Sequence, residues 1–198
     1  MKRQSKAMQK KWDQRHRAVT TTVPDAALVL KQNLHLLPVS GDALDLACGR
    51  GGNALLLAQA GLTVQAWDLS PVAVEALQLQ AEVNGVAIQA TVRDVLELPP
   101  FPESFDVIVV SHFLQRSLMP TICEALRPCG LLFYQTFSQD KVSLQGPNNP
   151  DFLLAENELL RLCAPLRLRV YREEGTLGDT THGLRNEVLY VGQKVASQ

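Results

Sequence analysis

The sequence predicts an α/β domain whose mostly parallel sheet carries helices on both faces. Three observations lead there. Short apolar, β-branched runs alternate with segments of helical period from Ala43 to about Leu132. A glycine-rich turn, Gly49-Arg50-Gly51-Gly52, directly follows the first of those runs. The chain then finishes on two strand-like runs with no helical pattern between them. Strand-helix alternation implies right-handed crossovers between parallel neighbours, whereas the final pair, joined without a helix, is expected to be antiparallel. With 198 residues and 46% hydrophobic content, the chain can bury one sizeable core, so 1–198 is read as a single domain.

Residues 1–20 read as a basic N-terminal arm or helix. Lys2, Arg3, Lys6, Lys10, Lys11, Arg15 and Arg17 face only Asp13, and Trp12 is suited to anchor the segment. From Pro24, the residues Ala26, Ala27, Leu28, Leu30, Leu34, Leu36 and Leu37 recur at helical spacing until Pro38 stops them. Gly41-Asp42 turns the chain into a first strand, Ala43 to Leu46, and a helix from Gly52 to Ala60 follows, capped by Gly61. A second strand, Leu62 to Trp67, ends in Asp68. Ser70-Pro71 then supplies the N-cap and first residue of a helix reaching Asn84-Gly85.

A third strand, Ala87 to Val92, leads into Arg93-Asp94, and the prolines of Leu98 to Pro102 make a loop. Phe105 to Val110 is the clearest buried strand, a β-branched run that delivers Ser111 and His112 at its end. Leu118 to Leu126 is helical, Pro128-Cys129-Gly130 reads as a turn, and Leu131 to Phe137 as the fifth strand. The stretch 138–152 lacks periodicity and holds Gly146-Pro147-Asn148-Asn149-Pro150, so it is a candidate lid or substrate loop. A short helix, Glu156 to Leu162, precedes strands Leu166 to Tyr171 and Glu187 to Val191, with a long turn over Glu173 to Arg185.

A formal net charge of −1 gives no general attraction to nucleic acid or a membrane surface. Cys48, Cys123, Cys129 and Cys163 form no Cys-x-x-Cys pair and have no histidine at ligand spacing, so neither a metal site nor a disulfide framework is expected, and all four read as buried apolar residues. No apolar run approaches the roughly 20 residues that span a bilayer. The expectation is a soluble cytoplasmic protein of unassigned oligomeric state.

The glycine turn carries the chemistry. Glycines there permit positive φ and close ligand approach, and the amides opening the next helix favour a polar or anionic group. Gly49-x-Gly51-x-x-Ala54, with Asp68 19 positions after Gly49, satisfies a dinucleotide fingerprint, so a nicotinamide or flavin enzyme is one reading. Three features point away from it. Asp45, at the tip of the first strand, would crowd a pyrophosphate with like charge but suits an ammonium. Asp94 places another acid at the end of the third strand, suited to an adenine amino group. The terminal antiparallel pair is foreign to a simple dinucleotide domain.

The chain resembles the class I S-adenosyl-L-methionine-dependent methyltransferases, and among them the tellurite-resistance (TehB-like) group, related in style to thiopurine methyltransferases. The resemblance rests on Leu44 to Ala54, Trp12-Asp13-x-Arg15, His112-Phe113-Leu114-Gln115-Arg116, Leu126-Arg127-Pro128 and Asn149-Pro150-x-Phe152-Leu153-Leu154. It implies a Rossmann-like, seven-stranded sheet, mostly parallel with an antiparallel last strand. It further implies that Asp45 receives the methionine ammonium of the cofactor, that Ala47, Gly49 and Gly51 let the backbone approach it, and that Arg15 or Arg50 pairs with its carboxylate. Asp68 would hold the ribose hydroxyls with Leu69 against the adenine, Asp94 and Val95 would read the adenine edge, and Ser111 and His112 would lie near the sulfonium.

Methyl transfer is an in-line displacement from a good leaving group, so alignment supplies much of the acceleration and no covalent nucleophile is required. Where the acceptor carries a proton, His112 is the candidate base. The acceptor expected is a small molecule, such as a thiol, a selenium or tellurium compound, or a metabolite oxygen or nitrogen. An RNA or protein methyltransferase, supported only by the basic arm, and a non-catalytic cofactor-binding protein remain open at this point. Ala47, in place of the usual first glycine, and Cys129, in place of a glycine before the fifth strand, depart from the family pattern.

Overall fold

The computed structural model describes residues 2–18 and 25–196, with side chains from residue 5 onward. Its strands are β1 (Asp42–Leu46), β2 (Thr63–Asp68), β3 (Ile88–Val92), β4 (Phe105–Ser111), β5 (Leu126–Phe137), β6 (Leu166–Arg172) and β7 (Glu187–Lys194). They form one sheet in the order β3-β2-β1-β4-β5-β7-β6. The pairs among β1 to β5 are parallel, and β7 runs antiparallel to both β5 and β6. The helices are α1 (Lys2–Arg17), α2 (Leu28–Gln32), α3 (Gly52–Gln59), α4 (Pro71–Val83), α5 (Met119–Ala125) and α6 (Glu158–Leu162).

Side-chain alternation divides the core into two layers. Leu44, Leu46, Ile108, Val110, Leu132 and Tyr134 face one way and pack on α5 and α6 through Met119, Ile122 and Leu159. Ala43, Val107, Val109 and Phe133 face the other way and pack on α2, α3 and α4 through Leu30, Leu57 and Leu77. Both faces are therefore covered, which is why Val107 to Val110 can be apolar without a break and wholly buried.

Several expected boundaries shift for local reasons. The helical pattern over 24–37 begins outside the described residues at Pro24 and is split at Asn33. That side chain turns its amide back onto the Val29 carbonyl at 2.8 Å, ending α2 and leaving only a 3-10 turn over Leu34–Leu36. The expected helix 118–126 is a 3-10 turn over Arg116–Leu118 followed by α5, and the helix expected from Glu156 starts at Glu158. Pro128-Cys129-Gly130 is not a turn between elements but a bulge inside β5. Leu126 pairs with Phe105, and pairing resumes at Leu131 with Val107. Cys129 has φ +68 there and is exposed, unlike the buried residue expected, whereas Cys48, Cys123 and Cys163 are buried. Arg127 holds the bulge to the sheet through Asp106 at 2.7 Å and Asp42 at 2.8 Å.

Candidate functional site

The carboxyl ends of β1, β2, β3, β4 and β5 lie side by side at one edge of the sheet, and this edge collects the sequence-predicted residues. Asp45 is fully buried at the end of β1 and accepts the Ala54 amide at 3.0 Å and the Asn53 side chain at 3.4 Å. Burial pushes its carboxyl up to about 7, against the lowering effect of those two bonds. Ala47 then takes φ +56 and Gly49 φ +53, so the chain bends sharply between β1 and α3. A non-glycine residue in that region costs about 1–2 kcal/mol, and such strain persists where the surroundings enforce it. Gly51 has φ +81, and a Cβ there would stand 2.2 Å from Leu77 Cδ1; its lack of a side chain lets α3 start against α4.

Asp68, 8% exposed, is locked by two backbone amides, Gly49 to Oδ2 and Ser70 to Oδ1, each at 2.8 Å. The acid at the end of β2 is thereby bound to the glycine turn itself. Leu69 beside it is half-buried. Asp94 ends the β3 segment, half-buried, with Oδ1 accepting the Leu96 amide at 3.0 Å, and Val95 behind it packs into the core. Ser111 Oγ accepts from Asn53 Nδ2 at 2.9 Å. His112 follows with φ +53, its ring 4.9 Å from that of Phe137 and its Nε2 3.1 Å from Glu187 Oε1.

Helix α1, within the stretch expected to form a basic arm or helix anchored by Trp12, lies across this edge. Ser5 donates to Asp94 Oδ2 at 2.7 Å, Ser70 donates to Asp13 at 2.5 Å, and a Cβ on Gly49 would stand 3.4 Å from His16 Cε1. Ser5, Gln9, Trp12, Asp13 and His16 form its less exposed face. That face is polar apart from Trp12, which stacks on His16 at 6.0 Å and lies 5.3 Å from the Arg15 guanidinium. Burial pushes the His16 imidazole below its ordinary value, Arg15 and Arg50 adding to the effect and Asp68 and Asp13 opposing it. His16 therefore sits over the glycine turn; residues 1, 19 and 20 of the expected arm lie outside the described residues.

The stretch 138–152 borders the same region and is tied down by side chains. Arg116 donates to the carbonyls of Asp151 and Leu153 at 2.8 Å each while pairing with Glu158, and Asn186 accepts the Val142 amide at 2.8 Å. Gly146 packs on Phe137 so closely that a Cβ would stand 2.5 Å from its ring. Arg185 and His182 build the terminal turn rather than the site: Arg185 donates to four backbone carbonyls, and His182 pairs with Asp179 in the open.

Sequence reasoning missed Asn53 and Glu187. Asn53 is 4% exposed and joins Asp45, Ser111 and the Ala27 amide at 2.8 Å. One polar residue inside the otherwise apolar Asn53-Ala54-Leu55-Leu56-Leu57 was the available signal. Among the described residues, no cluster of metal-ligating side chains occurs and no helix is long and apolar enough to cross a membrane. Burial, with Asp45 and Asp68 nearby, pushes the Cys48 thiol well up, so it is no nucleophile.

The arrangement fits a nucleoside carrying an ammonium group. Two buried acids stand at adjacent strand ends, and the left-handed backbone at Ala47 and Gly49 lies between them. Comparison with known proteins agrees. Residues 43–130 match the methyltransferase domain family. Hemagglutinin 1 of Eikenella corrodens is 31% identical over 122 residues, covering 50% of this chain and 40% of that protein. Ubiquinone biosynthesis O-methyltransferase of Histophilus somni is 29% identical over 106 residues, covering 48% and 44%. The chain thus spans less than half the length of the curated relatives it matches. Among solved structures, TehB from Haemophilus influenzae superimposes with a TM-score of 0.68 at 22% identity, covering 92% of this chain and 67% of that one. S-adenosylmethionine-dependent methyltransferases also share the fold.

Proposed function

From a methyltransferase domain at residues 43–130 within a class I methyltransferase fold, we propose that this chain transfers a methyl group from S-adenosyl-L-methionine to a small-molecule acceptor. The observation that carries the reading is the pair of buried acids at adjacent strand ends, Asp45 bonded to the Ala54 amide in the first turn of α3 and Asp68 to the Gly49 amide in the glycine turn before it. The cofactor, when bound, supplies an electrophilic methyl on a positively charged sulfur. Asp45 would receive its ammonium, Asp68 its ribose hydroxyls, Asp94 and Val95 its adenine edge, and Leu69 the adenine face. Arg15 or Arg50 would meet its carboxylate. Ser111 and His112 would face the reacting end, with His112 taking a proton where the acceptor has one to lose.

A small acceptor is favoured because α1 crosses the site edge and 138–152 borders it, so both narrow the approach to the strand ends. The test supplies purified protein with methyl-labelled S-adenosyl-L-methionine and a cell extract separated into small molecules, RNA and protein. Label entering the small-molecule fraction is the expected result. Label in RNA or protein alone would replace the small acceptor with a macromolecular one, and cofactor binding without transfer to any fraction would make the chain a binding protein.

A further inference from the structure

A buried polar chain runs from the backbone of α2 into the site. The Val29 amide donates to Gln135 Oε1 at 2.7 Å, Gln135 Nε2 donates to Glu187 Oε2 at 2.5 Å, and Glu187 Oε1 meets His112 Nε2 at 3.1 Å. Gln135 is 5% exposed and the Glu187 side chain 11%, whereas the His112 side chain at the open end is 43% exposed. The backbone serves the same end. His112 adopts φ +53 and donates its amide to the Gln135 carbonyl at 2.8 Å, and Glu187 stands opposite Phe137, the ring against which His112 packs.

A histidine that merely filled space would need none of this. Burying a carboxylate is costly unless it is fully bonded, and here both oxygens are used, one to fix the carboxylate and one to orient an imidazole. Burial pushes the Glu187 carboxyl up, but its bonds to His112 and Gln135 leave it below its ordinary value, so it is ionised at neutral pH. A carboxylate only accepts. Nε2 of His112 therefore carries the ring proton, and Nδ1 carries the lone pair.

We propose that Glu187, held by Gln135, is a positioning residue that sets His112 as general base, and that the acceptor is consequently a weak oxygen or sulfur acid, a phenol, enol or thiol that arrives protonated. The inference rests on the methyltransferase reading above. The acceptor O–H or S–H proton passes to His112 Nδ1 while the acceptor's electron pair forms the bond to the methyl carbon. The broken carbon–sulfur bond leaves its pair on the sulfur and discharges the sulfonium. His112, now an imidazolium facing the Glu187 carboxylate, returns its proton to water.

The test uses the full chain, S-adenosyl-L-methionine, and two probe series, substituted phenols and substituted thiophenols, whose members run from protonated to ionised at neutral pH. Glu187→Gln is expected to lower kcat about 100-fold on protonated probes and less than about threefold on ionised ones. In a His112→Gln background, the same change should add less than about twofold, since residues acting through one another are not additive. Equal losses on protonated and ionised probes, or additive losses in the double variant, would overturn the proposal. So would a wild-type protein that binds S-adenosylhomocysteine yet methylates no protonated probe. Should Glu187→Gln fail to fold, Glu187→Asp, which keeps the charge but withdraws it from Nε2, gives the same comparison. Calorimetric titration with S-adenosylhomocysteine keeps the two readings apart: no binding to the wild type removes the methyltransferase reading itself, whereas binding by every variant confines the result to Glu187 and His112.

Discussion

The Ser5 hydroxyl hydrogen-bonds to the Asp94 carboxylate at 2.7 Å across 89 positions of sequence, placing the first turns of α1 over the acid that ends the β3 segment. A helix docked mainly by polar contacts, with Trp12 the one apolar residue of its inner face, has little to hold it. Its amides are expected to exchange hydrogen far faster than those of β1, β4 and β5. Saturating S-adenosylhomocysteine should slow exchange in α1 and leave the central strands as they were. Exchange in α1 that ignores the nucleoside would mean that α1 and the cofactor do not share a site.

Asp45 couples cofactor binding to pH. Its carboxyl sits near 7 because of burial, and the form that pairs with an ammonium is the carboxylate. Affinity for S-adenosyl-L-methionine should therefore rise with pH up to about 7 and level off above it, with about tenfold lost per unit below. Titration in buffers of different ionisation enthalpy should detect one proton released on binding at pH 6. The sign for stability is the reverse of the usual acid. The folded state binds this proton more tightly than the unfolded chain, so stability from this group falls as pH rises from about 4 to about 7. Asp45→Asn should raise the melting temperature at pH 8 relative to wild type, and should do so much less at pH 4.

Gly51 joins two helices by having no side chain. In Gly51→Ala, the new Cβ would enter the space of Leu77 Cδ1, at a φ of +81 that disfavours alanine. A loss of about 3 kcal/mol in urea unfolding is expected, part from strain and part from overpacking. Adding Leu77→Val should recover the overpacking part only.

Arg116 binds two carbonyls of the 138–152 stretch and both oxygens of Glu158, a planar arrangement that lysine cannot reproduce. Both Arg116→Ala and Arg116→Lys should speed trypsin cleavage at Lys141 at least about tenfold, a loss of roughly 1.4 kcal/mol or more in local stability. Cleavage that stays slow in both variants would show that Asn186 and Phe137 hold the stretch without Arg116.

The sheet was legible in the sequence because each strand is written twice, once as an apolar run and once as the turn that follows it. Phe105 to Val110 needs burial on both faces, and Leu166 to Val191 offers no crossover helix, so the parallel and antiparallel parts could be told apart. The strand-end acids were legible for the same reason, since Asp45, Asp68 and Asp94 each stand at or just beyond the carboxyl end of a strand. What escaped depends on contacts between residues far apart in the chain. Nothing local marks Glu187 as the partner of His112, 75 positions away, or His16 as the neighbour of Gly49. The bulge at Cys129 looked like a turn because both use proline, glycine and a left-handed residue, and only the pairing of Leu126 with Phe105 separates them.

The most direct measurement is calorimetric titration of the full chain with S-adenosyl-L-methionine, S-adenosylhomocysteine and NAD, repeated on Asp68→Ala. Binding of both sulfur nucleosides, with NAD inert and affinity weakened at least about tenfold by the substitution, is the predicted result, equivalent to roughly 1.4 kcal/mol or more from the ribose contact. Binding of NAD alone, or of the sulfur nucleosides with no dependence on Asp68, would contradict it.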